Sequence, residues 1–89
     1  MNAQNVYSIN SNYIIESVDE SIILYDNELN LIHVIDNTGK FIMEQFNGMD
    51  SLNMIIIRMK NEYGESFSIN DFSEFVDELI KKGILIQND

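Results

Sequence analysis

Apolar residues in this chain change their spacing once, around Asp36-Asn37-Thr38-Gly39, and that switch limits the folds open to it. Before it the apolar runs are short, β-branched and aromatic; after it, as far as Gly83, they recur at helical intervals. Residues Tyr13, Ile14, Ile15, Glu16, Ser17 and Val18 are followed, after only Asp19-Glu20, by Ser21, Ile22, Ile23, Leu24 and Tyr25, which is the pattern of a hairpin. A further run at 29–35 follows the turn-prone Asp26-Asn27-Glu28 and is apolar nearly throughout, except at Asn30 and His33. It reads as the third strand of an antiparallel meander. Residues 1–12, rich in Asn, Ser and Gln, read as a flexible N-terminal arm, and 13–87 as a single domain.

Three helices are expected after the switch. The first starts at a cap on Asp36 or Asn37 and runs to about 47, with Thr38, Phe41, Ile42, the stem of Gln45 and Phe46 on one stripe, widened by Met43. The second, capped by Asp50 or Ser51 and running to Tyr63, repeats Leu52, Ile55, Ile56, Met59 and Tyr63. Met54 and Ile57 fall outside that stripe, so the helix is either buried on two sides, as its central place in the order favours, or presents a contact surface. The third, capped by Ser68 or Asn70, aligns Phe72, Phe75, Val76, Leu79 and Ile80; Lys81-Lys82 suit its C-terminal dipole and Gly83 stops it. Gly48 and Gly64 also read as helix stops, and Ile84-Leu85-Ile86 as an extended return to the core. The fold class is therefore α+β, a three-stranded antiparallel meander followed by three helices in a winged-helix-like arrangement.

Composition narrows the chemistry. Eighty-nine residues with Cys 0 leave a small core with no disulfide and no thiolate ligand or nucleophile, which suits a reducing cytoplasm. The N-terminus lacks a basic and an apolar signal region, and no apolar run approaches the ~20 residues a bilayer needs. Asp plus Glu total 15 against 5 for Lys plus Arg, a formal net charge of -10, and no cation precedes Lys40. Such a surface repels phosphate backbones and favours a basic protein or peptide, although solubility alone accounts for much acidity of this kind. His33 is the lone histidine, and a single strand histidine is far more often a surface or groove residue than a base or metal ligand. Asp19-Glu20 and Asp77-Glu78 are sequence neighbours whose side chains diverge, so neither makes the facing pair that acid–base work needs. No phosphate-cradling or nucleophile motif occurs. The expectation is a non-enzyme with no cofactor and no metal.

Three features in order carry a resemblance: Ile35-Asp36-Asn37-Thr38-Gly39 followed by Ile42, then Asn70-Asp71-Phe72, then the ending Leu79-Ile80-Lys81-Lys82-Gly83-Ile84-Leu85-Ile86. In these residues the chain resembles the PqqD-like family over about 13–86. These are leader-peptide recognition domains, or RiPP recognition elements, of pathways that make and modify ribosomal peptide natural products. Asp36 stands where the family often has Asn, and either residue caps a helix. The resemblance implies a peptide-binding module in which the leader of a precursor peptide adds as a strand to the edge of the third strand, beside the third helix. Leu29, Asn30, Leu31, Ile32, His33 and Val34 would then supply the ladder and flanking side chains, with either Leu31 and His33 or Ile32 and Val34 facing the groove. Asp71, Phe75 and Glu78 are the third-helix candidates, with Asp77 a further acid for a basic leader. Implied partners are the leader peptide and a separate maturation enzyme, such as a lasso-peptide protease or cyclase or a radical SAM enzyme. Met54 and Ile57 are candidates for the enzyme-facing surface, and an uncovered edge would permit a homodimer.

Two other classes compete. A winged-helix transcriptional regulator needs Arg, Lys, Asn or Gln on an exposed recognition helix, but the third helix offers Ser73, Glu74, Asp77 and Glu78 before its lysines. A small acidic inhibitor of a basic protein is permitted by charge and supported by no motif.

Overall fold

Residues 4–26, 28 and 31–88 are described by the structure, a computed structural model, with Leu31 described by its backbone alone. The chain is α+β, with six strands in two antiparallel three-stranded sheets and three α-helices among the described residues. The elements run β1 (Val6–Ile9), β2 (Tyr13–Val18), β3 (Ser21–Asp26), β4 (Leu31–Ile35), α1 (Asn37–Glu44), β5 (Asn47–Ser51), α2 (Leu52–Tyr63), α3 (Ile69–Lys81) and β6 (Leu85–Asn88). No helix among these residues is long and apolar enough to cross a membrane.

The meander stands as expected. β2, β3 and β4 pair in that order, and the two-residue turn Asp19-Glu20 closes the hairpin on the pair Val18–Ser21. Asp19 takes φ 54°, a left-handed conformation that Asp tolerates better than most residues and that two-residue hairpin turns require. Alternation then sorts the two faces. Ile22, Leu24 and Asp26 of β3 are buried, and Ile35 of β4, opposite Ile22, is buried with them. Ile14, Val18, Ile32 and Val34 lie on the other face and are exposed.

Each helix starts on a side-chain cap, which supplies an acceptor to an otherwise unpaired N–H of the first turn. Asp36 Oδ1 accepts from the Gly39 amide at 2.9 Å, Ser51 Oγ from Met54 at 3.4 Å, and Ser68 Oγ from Asp71 at 3.2 Å. α3 ends before Gly83, whose φ of 76° lets the chain turn so that Ile84 and Leu85 enter the core. That core joins Leu24 and Ile35 of the meander to Ile42 and Met43 of α1, Leu52, Ile55 and Met59 of α2, and Phe72, Val76 and Leu79 of α3.

The structure corrects several expectations. Residues 4–12, expected as part of a flexible arm over 1–12, are not one: β1 is the central strand of the second sheet, between β5 and β6, and Tyr7 is only 6% exposed. Its pairs Val6–Asn88 and Ile9–Leu85 bring the first and last described strands together, and Asn10 donates to the carbonyl oxygens of Ile84 and Gly83. Polar residues on both sides of a four-residue strand hid its apolar alternation. α1 ends at Glu44, so Gly48 is no helix stop; it takes φ 77° inside β5, where two extra residues bulge against β1. Arg58 holds this corner, bonding Asp50 Oδ2 at 2.7 Å and Gln45 Oε1 at 2.9 Å, and its guanidinium keeps the Asp50 carboxyl below its ordinary pKa, helped by Asn47. Thr38 is exposed, not part of the α1 stripe, and Met54 and Ile57 face solvent, so α2 is not buried on two sides.

Truncating Tyr7 to Ala should cost roughly 3–5 kcal/mol, the range for a large buried aromatic, read as a lower midpoint in urea denaturation. Deleting residues 1–9 should abolish cooperative unfolding, which a dispensable arm would leave intact. A Cβ on Gly39 would collide with Ile35 Cγ2 and reach Phe75 Cζ at 3.1 Å; Gly39→Ala should therefore destabilise by roughly 1–3 kcal/mol despite alanine's better helix propensity. Burial, then the charge of and hydrogen bond to Asp26, raise the Tyr13 pKa. The folded state thus holds that proton more tightly than the unfolded state. Its contribution is complete below roughly pH 10 and is lost as pH rises through the higher folded value. An ultraviolet titration should show a late tyrosine component that disappears in Tyr13→Phe.

Candidate functional site

The register of the meander shows which backbone groups of β4 are free. A two-residue turn closes on a hydrogen-bonded pair, and bonded and non-bonded pairs alternate along an antiparallel ladder. Counting from Val18–Ser21, residues Ser21, Ile23 and Tyr25 direct their backbone groups toward β2, while Ile22, Leu24 and Asp26 direct theirs toward β4. Their partners there are Ile35, His33 and Leu31. Ile32 and Val34 therefore point two N–H and two C=O groups away from β3, on a strand whose only sheet neighbour among the described residues is β3. Their side chains are 63% and 71% exposed.

Beside the C-terminal end of this edge lies a groove of about 600 Å³, bounded by the start of α1, the end of α2, the segment leading to α3 and the first half of α3. Its lining includes the buried Ile42, Met59 and Phe72, with Val34, Tyr63, Phe67 and Phe75 more open to solvent. The aromatic lining is braced. Tyr63 meets Phe41 edge-on at 5.5 Å between ring centroids, and Phe67 tilts onto Phe72 at 5.7 Å. Two acids, Asp36 and Asp71, stand among these apolar residues. Glycine at position 39 matters because the start of α1 lies against Ile35 and Phe75, and a Cβ would collide with the first and press on the second. β2 is the other free edge of the sheet, but the hollow on its side, between Ile15, Ser17, Ile22 and α1, is only about 120 Å³. Among the described residues the open edge of β4 adjoins the much larger of these two hollows.

Of the residues singled out from sequence, Val34, Asp71 and Phe75 come together in the groove. Ile32 shares the outer face and the free edge with Val34. His33 turns to the inner face, its ring 6.2 Å from that of Tyr13. Leu29 and Asn30 lie outside the described residues; Leu31 pairs with Asp26. Glu78 is exposed beside Lys82 Nζ at 3.4 Å and does not line the groove; neither do Met54 and Ile57. Asp36, Thr38, Ile42, Met59, Tyr63, Phe67 and Phe72 line it and were not among the sequence candidates. Tyr63, expected on the α2 core stripe, is instead exposed at the last turn and lines the groove. No group of three His, Asp or Glu residues that could hold a metal ion occurs among the described residues. Set against family models, curated proteins and solved structures, the chain matches none.

Proposed function

We propose that this chain is a non-catalytic peptide-binding module of PqqD-like, winged-helix-like type. It captures the leader of a precursor peptide by strand addition to β4 and delivers it to a separate maturation enzyme. The observation that carries the reading is the free backbone of Ile32 and Val34 running into a groove with an aromatic wall and two carboxylates. An extended peptide satisfies an open edge with its own backbone while alternate side chains enter adjoining pockets. Magnitudes divide the labour. Four edge hydrogen bonds contribute roughly 2–6 kcal/mol in all, below the roughly 8 kcal/mol of a micromolar complex even before the cost of association. The groove must supply the remainder, by burying one or two large apolar leader side chains at about 1.5–3 kcal/mol each. A neighbouring Lys or Arg of the leader suits Asp36 and Asp71, with an attraction that salt weakens. The exposed part of α3, with Glu74, Asp77 and Glu78 ahead of Lys81, supports a peptide rather than a nucleic-acid partner.

Fluorescence polarisation of labelled precursor leader peptides tests the reading against labelled duplex DNA. Saturable leader binding and no DNA binding are expected. Ile32→Pro and Val34→Pro should each weaken the complex about tenfold while leaving the unfolding midpoint nearly unchanged, because those amides donate to no strand among the described residues. His33→Pro should destabilise the fold itself, since its amide belongs to the β3–β4 ladder. Tyr63→Ala should cost more affinity than either edge proline. Binding to DNA alone returns the chain to the regulator class.

A further inference from the structure

The outer face of the meander is the wrong polarity for a solvent-facing sheet. Antiparallel sheets with one face on the core ordinarily alternate apolar-in with polar-out. Here the outward residues form two cross-strand rows, Ile14–Tyr25–Ile32 and Glu16–Ile23–Val34, with Val18 and Ser21 beyond them at the turn. Six of these eight are apolar or aromatic. Ile14, Val18, Ile32 and Val34 are 44–71% exposed, so the described chain itself leaves the face uncovered. A row of β-branched side chains on paired strands is rigid, and a contiguous apolar patch with a polar border is the usual mark of a protein-binding surface. The solvent side of α2 has fewer apolar residues, with Met54 and Ile57 beside Asn53, Arg58 and Asn61.

Charge identifies the occupant. Glu16 sits inside the patch, Asp19 and Glu20 form the turn at one end, and Glu28 stands at the other. No Lys or Arg occurs anywhere before Lys40. A second copy of this chain, laid on the face in either direction, would set acid against acid at both ends. Anionic lipid is repelled for the same reason. We infer that the outer face of β2, β3 and β4 docks a protein surface whose apolar patch is bordered by Lys and Arg. This goes beyond leader capture and stands without it. It gives the module a second binding surface, reached through side chains of β2 and β3 rather than through the β4 backbone. The acidic border sets orientation and encounter rate, and the apolar rows set lifetime.

The probe is a designed amphipathic helix with a leucine face bordered by lysines, titrated into the isotopically labelled full chain and followed by amide NMR shifts. A helix with glutamates for lysines and one with serines for leucines serve as comparisons. Saturable binding of the Leu/Lys helix is expected, with shifts centred on Ile14, Ile23 and Tyr25, at least fivefold weaker for Ile14→Ser and for either comparison helix. Ile14 is half exposed and on the far strand from β4, so this variant should keep the wild-type unfolding midpoint and leader affinity. Shifts centred on Met54 and Ile57, or equal binding of the glutamate or serine helix, would overturn the inference. So would a dimer of the chain alone that Ile14→Ser dissociates, or zwitterionic vesicles that perturb the same face. Leader binding is scored separately, by shifts at the groove residues Tyr63, Asp71 and Phe75, so failure of either surface is distinguishable from failure of the other.

Discussion

The corner between β4 and α1 sets the rest of the geometry. Over five residues the chain changes from an extended edge strand to a helix, and two contacts hold the turn. Asp36 Oδ1 takes up the Gly39 amide, and the bare α-carbon of Gly39 lies against Ile35 and Phe75. The first contact determines where the helix begins; the second determines how near α3 can come. Together they place the mouth of an apolar groove at the end of a strand whose outer edge is open. Without that closeness, β4 would be an ordinary sheet edge and the α1–α3 cleft an ordinary surface hollow. Asp36 is both the cap and one of the groove's carboxylates, so local folding and the charge of the site depend on one side chain.

Patterns that span neighbouring residues were readable from the sequence. Helix starts at Asp36, Ser51 and Ser68, the stop at Gly83 and the hairpin at Asp19-Glu20 all follow from side chains acting within a few positions. β1, β5 and β6 were not read as a sheet because nothing local marks them. Each is a short strand, β5 contains Asn47, Gly48 and Asp50, and all three form by pairing with segments far away in the chain. The site divides in the same way. Val34, Asp71 and Phe75 were reached through the resemblance, whereas Tyr63 and Phe67 join the groove only because the end of α2 comes to lie beside α3. The inward side of β4 was undetermined from an almost wholly apolar run, and burial of Ile35 opposite Ile22 decides it.

The two sheets perform different work. The meander carries both exposed surfaces, the backbone edge of β4 and the apolar outer face, and much of β2 is open to solvent. The β5–β1–β6 sheet carries neither, and its register ties the first described strand to the last. Division of this kind lets side chains on the meander vary with little effect on the core, which rests mainly on the helices and on the inner rows of β3 and β4.

Pairing Val6 with Asn88 has a consequence for how the chain comes to be folded. β1 is synthesised first but lacks one of its two neighbours until residues 85–88 are made, so its sheet is completed only after every helix is available. Closing a loop of that span costs on the order of 4 kcal/mol in chain entropy, which favours delay until the helical core has already drawn the ends together. During synthesis Tyr7 and Ile9 are therefore exposed apolar side chains on an unpaired strand, the kind of segment that holding chaperones engage.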